Sequence, residues 1–281
     1  MLGAIIGDIC GSVYEFNNCK DYDKIVLFKK GCFPTDDSVM TVAVAQALMD
    51  TKHSIDLSKD ALIDMMHYYG RLFPHAGYGG TFSRWLEEGY REPYNSWGNG
   101  SAMRVSSVGW LYDTLEETLW YAKLSAEVTH NHPEGIKGAQ ATAAAIYMAR
   151  KGRSKEEIKE YIEKTFGYDL NFRLNDIRSG YEFDVSCQGS LPPSLVAFFE
   201  STDFEDAIRR VISVGGDSDT LGAICGGIAE AYYGIPEWME KKAFEVLSYR
   251  KTKYGNFENQ VLASQVIRFR NELKQANEHV K

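Results

Sequence analysis

Apolar side chains along this chain recur at the three- and four-residue spacing of helices, and almost nowhere with the strict alternation of a half-buried strand. This spacing predicts helices over residues 57–72, 82–90, 238–250 and 259–275. Capping boxes at Thr114 and Ser154 predict the starts of two more helices. Irregular stretches are expected over 17–33 and 168–190. With short loops, no linker and no repeat, the pattern predicts one compact all-α domain over residues 1–281.

One predicted helix is so rich in small and apolar residues that it can lie deep in the core, with its polar start at the base of a cleft. That start, Gly215-Gly216-Asp217-Ser218-Asp219-Thr220, places two carboxylates and a hydroxyl within four positions. Buried carboxylates need a cation or several donors, and closely spaced oxygen ligands suit Mg²⁺, Mn²⁺ or Ca²⁺. Helix capping by Asp and Ser is the alternative interpretation.

A second cluster upstream has the same layout. Thr35-Asp36-Asp37-Ser38 also opens an apolar helix, and adjacent aspartates repel each other unless a cation lies between them. Two carboxylates and two hydroxyls are more than capping requires. Since both clusters, about 180 residues apart, begin helices that look buried, they can converge on one site and supply the ligands of a two-metal centre.

The N-terminal segment again mixes small and apolar residues with acids. Gly3, Gly7 and Gly11 recur every four residues, which on a helix gives one smooth stripe for close packing. Asp8 and Glu15 are seven residues apart and would lie on roughly one face. A functional placement of these two carboxylates and an exposed acidic edge are the two interpretations.

Three loops carry further candidate chemistry. The glycines around Asn99 allow positive φ, and the helix start that follows predicts either an anion cradle, with Ser101 donating to a phosphate, or an ordinary turn. His130 and His132 indicate a zinc site, a substrate contact or a structural hydrogen bond. The glycine-rich loop 74–80 is not a Walker loop, and it is expected to act as a lid or as a simple connection.

Composition narrows the classes of function. The chain has 31 basic and 39 acidic residues, and its net charge of −8 argues against broad binding to a nucleic-acid backbone. No apolar run is long enough to cross a bilayer, and the N-terminus lacks the basic region of a signal peptide. Five cysteines without a Cys-x-x-Cys pair are typical of a reduced protein. We therefore expect a cytoplasmic protein with no membrane partner, and a monomer.

Five stretches in order along the chain resemble the ADP-ribosylglycohydrolase family, and the similarity runs over most of the sequence. They are Gly7-Asp8…Gly11…Glu15, Thr35-Asp36-Asp37, Gly98-Asn99-Gly100-Ser101-Ala102-Met103-Arg104, Thr129-His130 and Gly216-Asp217-Ser218-Asp219-Thr220. The resemblance implies an all-α, orthogonal multi-helix fold and a hydrolase that releases ADP-ribose from an acceptor such as an arginine side chain.

The resemblance also implies the cofactors and the roles of individual residues. Two Mg²⁺ or Mn²⁺ ions are expected, and the residues that match their ligands are Thr35, Asp36, Asp37, Asp217, Asp219 and Thr220. The expected catalytic residues are Glu15, Asp36 and Asp219. The expected substrate contacts are Gly98, Asn99, Gly100, Ser101, Met103 and His130. Glu15 either activates water or manages the proton of a ribose hydroxyl, whereas Asp8 matches a family feature without a settled role.

Two other functions stay open at this point. One is a catalytically weak relative that only binds ADP-ribose, and the other is a metal-dependent phosphoester hydrolase built from similar carboxylates. The expected partner is an ADP-ribosylated protein or a small-molecule substrate; arginine, serine, an ester and a nucleic-acid base all remain possible acceptors. The segments 17–33 and 168–190 carry no family signature, and we expect them to decide which acceptor fits.

Overall fold

The structure is a computed structural model that describes residues 1–51, 54–248 and 259–278. Helices account for nearly all regular structure in these ranges, and the described residues form no strand beyond one isolated bridge between Gly98 and Ser186. The α-helices are α1 (Leu2–Gly11), α2 (Asp36–Asp50), α3 (Ile55–Leu72), α4 (Gly80–Glu87), α5 (Gly100–Met103), α6 (Val108–Leu111), α7 (Leu115–Glu127), α8 (Pro133–Arg150), α9 (Lys155–Phe166), α10 (Leu174–Ile177), α11 (Cys187–Glu200), α12 (Phe204–Ile212), α13 (Ser218–Tyr233), α14 (Glu237–Leu247) and α15 (Asn259–Glu278). A short 3-10 helix covers Tyr22–Lys24.

The centre of the fold is the close pairing of α1 with α13. Every residue of α1 is buried, and its glycines face glycines of α13. A Cβ atom on Gly7 would lie 1.9 Å from the Gly222 carbonyl oxygen, and one on Gly3 would lie 2.3 Å from that of Gly226. Real side chains cannot approach backbone this closely, so the predicted glycine stripe is confirmed as the surface that lets the two backbones meet.

The other helices enclose this pair. Along α2 almost every residue is buried, and the alanine-rich face of α8 lies against α7 and α13. The amphipathic α12 buries Ile208, Val211 and Ile212 on one side and leads directly into the loop before α13. The result is one continuous hydrophobic core in which the starts of α2 and α13 and the end of α1 lie together.

The capping boxes at Thr114 and Ser154 are both formed, so these two predicted helix starts are confirmed. The prediction that residues 168–190 are irregular is wrong at both α10 and the start of α11. Ser186 caps α11 by accepting from the Gly189 N–H (2.9 Å), a local bond that the prolines further along the helix obscured in the sequence. The predicted helix over 238–250 ends at Leu247 in the structure, and its last two residues lie outside the described residues. Within the described part of the chain, no helix is both long enough and apolar enough to span a membrane.

Candidate active site

A cavity of about 540 Å³ opens where the starts of α2 and α13 face the loop before α5. Carboxylates form one side of it, which we call the acidic wall: Glu15, Asp36, Asp37, Asp217 and Asp219. A second part of the lining, which we call the loop wall, consists of Gly98, Asn99, Gly100, Met103, Arg104 and His130. The two acidic clusters of the sequence therefore do converge, together with the N-terminal segment.

The acidic wall brings carboxylate oxygens close enough together to share a bound metal ion. Oxygens of Asp8, Asp37 and Asp219 all lie within 4.8 Å of one another, and so do those of Glu15, Asp217 and Asp219. None of the ion pairs among the described residues involves any of these carboxylates. Several carboxyl groups are thus gathered in one place, and none of them forms an ion pair with a described cationic side chain.

Helix capping does not account for this arrangement. Thr35 is the N-cap of α2 and accepts from the Asp37 N–H (3.4 Å), but Asp217, at the N-cap position of α13, makes no side-chain capping bond. One oxygen of Asp37 accepts from the hydroxyls of Thr35 (3.2 Å) and Thr220 (3.4 Å). Its other oxygen, Oδ1, is buried and has no hydrogen-bond partner, which is a costly state for a carboxylate.

Burial and neighbouring carboxylates both raise the pKa values of these carboxyl groups. Loss of hydration, followed by the nearby carboxylates, raises the pKa of Asp37 and Asp219 well above the ordinary carboxyl range. The pKa of Asp36 is raised for the same reasons, and that of Asp217 mainly by burial. An all-oxygen donor set with excess negative charge and an unsatisfied buried oxygen fits one or more hard divalent cations.

Asp8 lies behind the acidic wall and organises the start of α2. Its carboxylate accepts from the Thr35 N–H (2.9 Å), the Thr35 hydroxyl (2.7 Å) and the Ser38 N–H (3.0 Å), and also from the Ser38 hydroxyl. Burial nevertheless raises the pKa of Asp8 to about 6. Asp8 is fully buried and so is not part of an exposed acidic edge; it connects α1 to the first acidic cluster.

Glu15 stands at the mouth of the cavity, beyond the end of α1. Partial burial, followed by the charge of Asp217, raises the pKa of Glu15 to about 7. The side chain of Asn18 fixes this turn to the second cluster: its amide donates to the Glu15 carbonyl (2.9 Å), and its Oδ1 accepts from the Gly216 N–H (2.7 Å). Gly215 and Gly216 both have positive φ (82° and 69°), so glycine is required here to turn the chain from α12 into α13.

The backbone of the loop wall differs from its prediction. Gly98 and Gly100 do not have positive φ, and Asn99 has φ of −70°. At Gly100 the reason for glycine is close approach, because a Cβ would lie 3.0 Å from His130 Nε2. A Cβ on Gly98 would make an ordinary 3.5 Å contact with the same atom and would lie 3.2 Å from the Ser96 hydroxyl oxygen.

Two further residues of this loop have partners within the protein. The Asn99 amide donates to Asp217 Oδ2 (2.7 Å) and so links the loop wall to the acidic wall. The buried Ser101 hydroxyl donates to the Gly135 carbonyl (2.7 Å) and does not line the cavity. The expected donation from this hydroxyl to a bound phosphate does not fit that placement, because the side chain points toward α8.

A buried cation stands behind His130. Arg104 is 1% exposed and donates to the Ser125 carbonyl (2.8 Å) and to the Thr129 hydroxyl (2.7 Å), while its Nε atom has no partner. The Thr129 oxygen lies 2.8 Å from His130 Nδ1. The Thr129 hydroxyl accepts from Arg104 and has its own proton to donate to Nδ1, and in that arrangement the imidazole proton lies on Nε2, the atom next to the glycine loop. Burial and the Arg104 charge lower the pKa of His130 well below its ordinary value, so the ring is neutral.

The second histidine of this segment has a structural role. His132 Nδ1 accepts from the Glu134 N–H (3.1 Å) and caps α8. Neither group of described residues suited to a metal contains a histidine or a cysteine. Of the three interpretations, a structural hydrogen bond therefore applies to His132, and His130 lies in the cavity.

Comparison with known proteins identifies the family of this chain. A model of the ADP-ribosylglycohydrolase family matches residues 1–267. The chain belongs to the ADP-ribosylglycohydrolase family. A solved structure named as an ADP-ribosylglycohydrolase-related protein complex has 26% sequence identity and a TM-score of 0.67, with 87% of this chain and 94% of that chain covered. The resemblance, the all-α fold class and the assignment to a family of hydrolytic enzymes are thus confirmed.

Characterised members of the ADP-ribosylglycohydrolase family align along most of the chain. ADP-ribosylhydrolase ARH3 of Mus musculus is 26% identical, with 95% of this chain and 90% of the relative covered. ADP-ribosylarginine hydrolase Tri1 of Pseudomonas putida (strain GB-1) is 27% identical, with 87% and 73% covered. The ADP-ribosyl-(dinitrogen reductase) glycohydrolase of Rhodospirillum rubrum is 24% identical, with 75% and 74% covered.

Sequence reasoning missed several residues that shape this ADP-ribosylglycohydrolase site. Asn18 lies in a polar loop without periodicity, and nothing in the sequence indicated that it reaches Gly216. The role of Asp8 was open because its four donors come from a different helix start. The hydrogen bond between Thr129 and Arg104 joins residues 25 positions apart, although both stand in the stretches that carry the family resemblance.

Proposed function

We propose that this protein hydrolyses the glycosidic bond between ADP-ribose and an acceptor, releases ADP-ribose, and uses two Mg²⁺ or Mn²⁺ ions bound at the acidic wall. The observation that carries the proposal is the acidic wall itself, where buried carboxylates converge without a protein cation and Asp37 Oδ1 has no hydrogen-bond partner. Family membership supplies the reaction class. The metal ions and the acceptor are our inference.

The residues assigned to the ions follow from the two clusters. Thr35, Asp36 and Asp37 would hold one ion, and Asp217, Asp219 and Thr220 the other. Of these, Asp37, Asp217 and Asp219 belong to the groups whose oxygens lie close together, and Asp36 lines the same cavity. When bound, the two ions would orient the ribose hydroxyls and activate a hydroxyl or a water molecule, while the nearby carboxylates stabilise positive charge at the anomeric carbon.

The chain's own groups would then act from both walls. Glu15, at the mouth and next to Asp217 and Asp219, is placed to take a proton from water or from a ribose hydroxyl as the bond at the anomeric carbon breaks. On the loop wall, the His130 Nε2–H is the donor that faces the cavity, and we assign it to the diphosphate. Close approach of ligand to backbone is possible at Gly98 and Gly100 because they carry no side chain.

A protein side chain is the proposed acceptor, with arginine as the leading candidate. The names of two relatives support this choice: one is a hydrolase of ADP-ribosylarginine and another acts on ADP-ribosylated dinitrogen reductase. Nothing in the acidic wall requires a nucleic-acid partner, and the net charge of −8 is unfavourable for one.

The direct test is a release assay with Mg²⁺ on ADP-ribosyl-arginine and ADP-ribosyl-serine peptides, with products resolved by mass. We expect intact ADP-ribose and the unmodified peptide. Release of AMP would instead identify a phosphoester or pyrophosphate hydrolase. Binding of ADP-ribose without release from either peptide would contradict the hydrolytic role and favour a relative that only binds.

A further inference from the structure

The two segments without a family signature meet at the mouth of the cavity. Phe16, directly before the first segment, stacks on Phe183 of the second, with ring centroids 6.0 Å apart and planes inclined by 16°. Both rings line the cavity next to Glu15. We call residues 16 and 181–186 the rim.

Hydrogen bonds fix the rim on three sides. The Lys20 ammonium donates to the Arg178 carbonyl (2.7 Å) and to that of Tyr181 (2.5 Å), which joins the two segments. The Tyr181 hydroxyl donates to the Gly189 carbonyl (2.9 Å), an acceptor that is free because the residue four positions later is Pro193 and has no N–H. The backbone of Asn99 donates to the Val185 carbonyl (2.7 Å), which joins the rim to the loop wall.

The two aromatic rings of the rim are exposed to solvent and contribute little to the hydrophobic core. Phe16 is 85% exposed and Phe183 is 48% exposed. A stacked pair of exposed phenyl rings, held by several hydrogen bonds at a cavity mouth, presents flat apolar faces to whatever enters or leaves.

The charges near the rim determine which kind of planar chemical group it can bind. Glu15 precedes Phe16 in the chain and lines the cavity together with both rings, next to Asp217 and Asp219. Arg104 is the one permanently charged cation among the residues that line the cavity, and its guanidinium is bonded to Ser125 and Thr129 behind the loop wall. The Lys20 ammonium near the rim is occupied by two backbone carbonyls. Acidic and aromatic side chains at the cavity mouth favour a planar cation, because carboxylates and ring faces both attract it.

We propose that Phe16 and Phe183 form the acceptor subsite and select a guanidinium group, the side chain of an ADP-ribosylated arginine, over an aliphatic hydroxyl such as that of serine. This inference rests on the proposed function and adds the residues that determine its specificity. Lys20 acts as a positioning residue, since it fixes the backbone that carries Phe183 and does not itself line the cavity.

The test compares kcat/KM for two peptides of one sequence, ADP-ribosylated at arginine or at serine, in wild type and in Phe16→Ala and Phe183→Ala. We expect wild type to prefer the arginine peptide, and each variant to lower that preference about 10-fold mainly through KM for the arginine peptide. Tyr68→Ala is the matched control, because Tyr68 is 46% exposed and belongs to another aromatic pair, on α3. Lys20→Met should lower the same preference, and Lys20→Arg should restore most of it.

Affinities of both peptides, measured in a Glu15→Gln background that keeps turnover low, separate this inference from the proposed function. Tighter binding of the arginine peptide that is lost in Phe183→Ala supports the rim even if wild type hydrolyses neither peptide, in which case only the proposed hydrolysis fails. A wild-type preference for serine overturns the inference. An unchanged arginine-to-serine ratio in both phenylalanine variants, with ADP-ribose still bound, also overturns it.

Discussion

The two walls of the cavity differ in the charge that lacks a partner among the described residues. The acidic wall holds carboxylates that find no cation among the described residues, and Asp37 Oδ1 has no donor at all. The loop wall holds the buried cation Arg104, whose guanidinium donates to a carbonyl and a hydroxyl but forms no ion pair with any described carboxylate. A fold that only needed stability would place these charges together, because unpaired buried charges are costly.

This separation indicates what each wall is suited to bind. Excess carboxylate oxygen suits divalent cations, and a neutral His130 with a positive charge behind it suits an anion such as a diphosphate. The Asn99 amide, bonded to Asp217, holds the walls at a fixed distance. Under the proposed function, the site would suit a ligand that is anionic at one end and is bound through metal ions at the other.

Removing one carboxylate of the acidic wall should have the largest effect. Asp219 belongs to both groups of converging oxygens, so Asp219→Ala should abolish most metal binding and lower turnover by at least about 1,000-fold. Calorimetric titration with Mn²⁺ and the ADP-ribose release assay measure the two effects. Asp206→Asn is the control, since Asp206 is also buried but is bonded to Arg210 and Tyr22; it should keep metal binding. Full hydrolysis with bound metal in Asp219→Ala would refute the two-cluster model.

Separating α1 from α13 should disturb both groups of carboxylates at once. In Gly7→Ala the added methyl would lie 1.9 Å from the Gly222 carbonyl oxygen, and we expect the free energy of unfolding to fall by about 3 kcal/mol or more. Gly180→Ala is the control, because the nearest atom to its Cβ is 4.0 Å away, and it should change stability by less than about 0.5 kcal/mol. Equal stability of the two variants in denaturant titrations would show that the helices are not in close contact.

Metal removal should make stability depend on pH in a direction opposite to that of ordinary ion-paired carboxylates. Without metal, folding raises the pKa of Asp8 to about 6 and of Glu15 to about 7. The stability from their protonated forms is present below the unfolded value of about 4 and is lost as pH rises through the folded values. In EDTA we therefore expect the Tm to fall between about pH 5 and pH 8, and Mn²⁺ to raise it more at the higher pH. A Tm in EDTA that rises over this interval would contradict the account.

A substitution in the loop wall should have a smaller effect, and this effect should leave metal binding unchanged. Thr129→Val keeps the shape of the side chain but removes the hydroxyl between Arg104 and His130. We expect ADP-ribose affinity to fall about 5- to 10-fold while Mn²⁺ affinity stays unchanged, and nitrogen NMR to show that His130 is no longer held as the Nε2–H tautomer. Thr142→Val is the control, because the buried Thr142 hydroxyl only donates to the Gly138 carbonyl. Loss of metal binding in Thr129→Val would show that the two walls are not independent.

The acidic wall could be predicted from sequence because its signals are local. Each cluster stands within a few residues at the start of an apolar helix, and the glycine spacing of α1 already indicated a close helix partner. The loop wall was harder to predict, because Gly100 is explained by His130, a residue about 30 positions away that only the fold brings near.

The sequence pointed to the two segments that carry the rim but not to how they meet. Lys20 and Phe183 lie in stretches without periodicity, Phe16 directly precedes the first of these stretches, and their contacts join residues more than 150 positions apart. The stacking of two exposed rings follows from where the chain returns after α10, which no local pattern specifies. Ser101 shows the converse difficulty, since a residue inside a recognisable motif directs its hydroxyl to α8 rather than to the cavity.

The most direct test of the central claim is the anomalous diffraction of Mn²⁺ in crystals of this protein grown with ADP-ribose. We predict two Mn²⁺ peaks at the acidic wall, one beside Asp37 and one beside Asp217 and Asp219, with the diphosphate against the Gly98–Gly100 loop and His130 Nε2. Bound ADP-ribose without a metal peak at these carboxylates would contradict the account, and so would metal peaks held elsewhere on the chain.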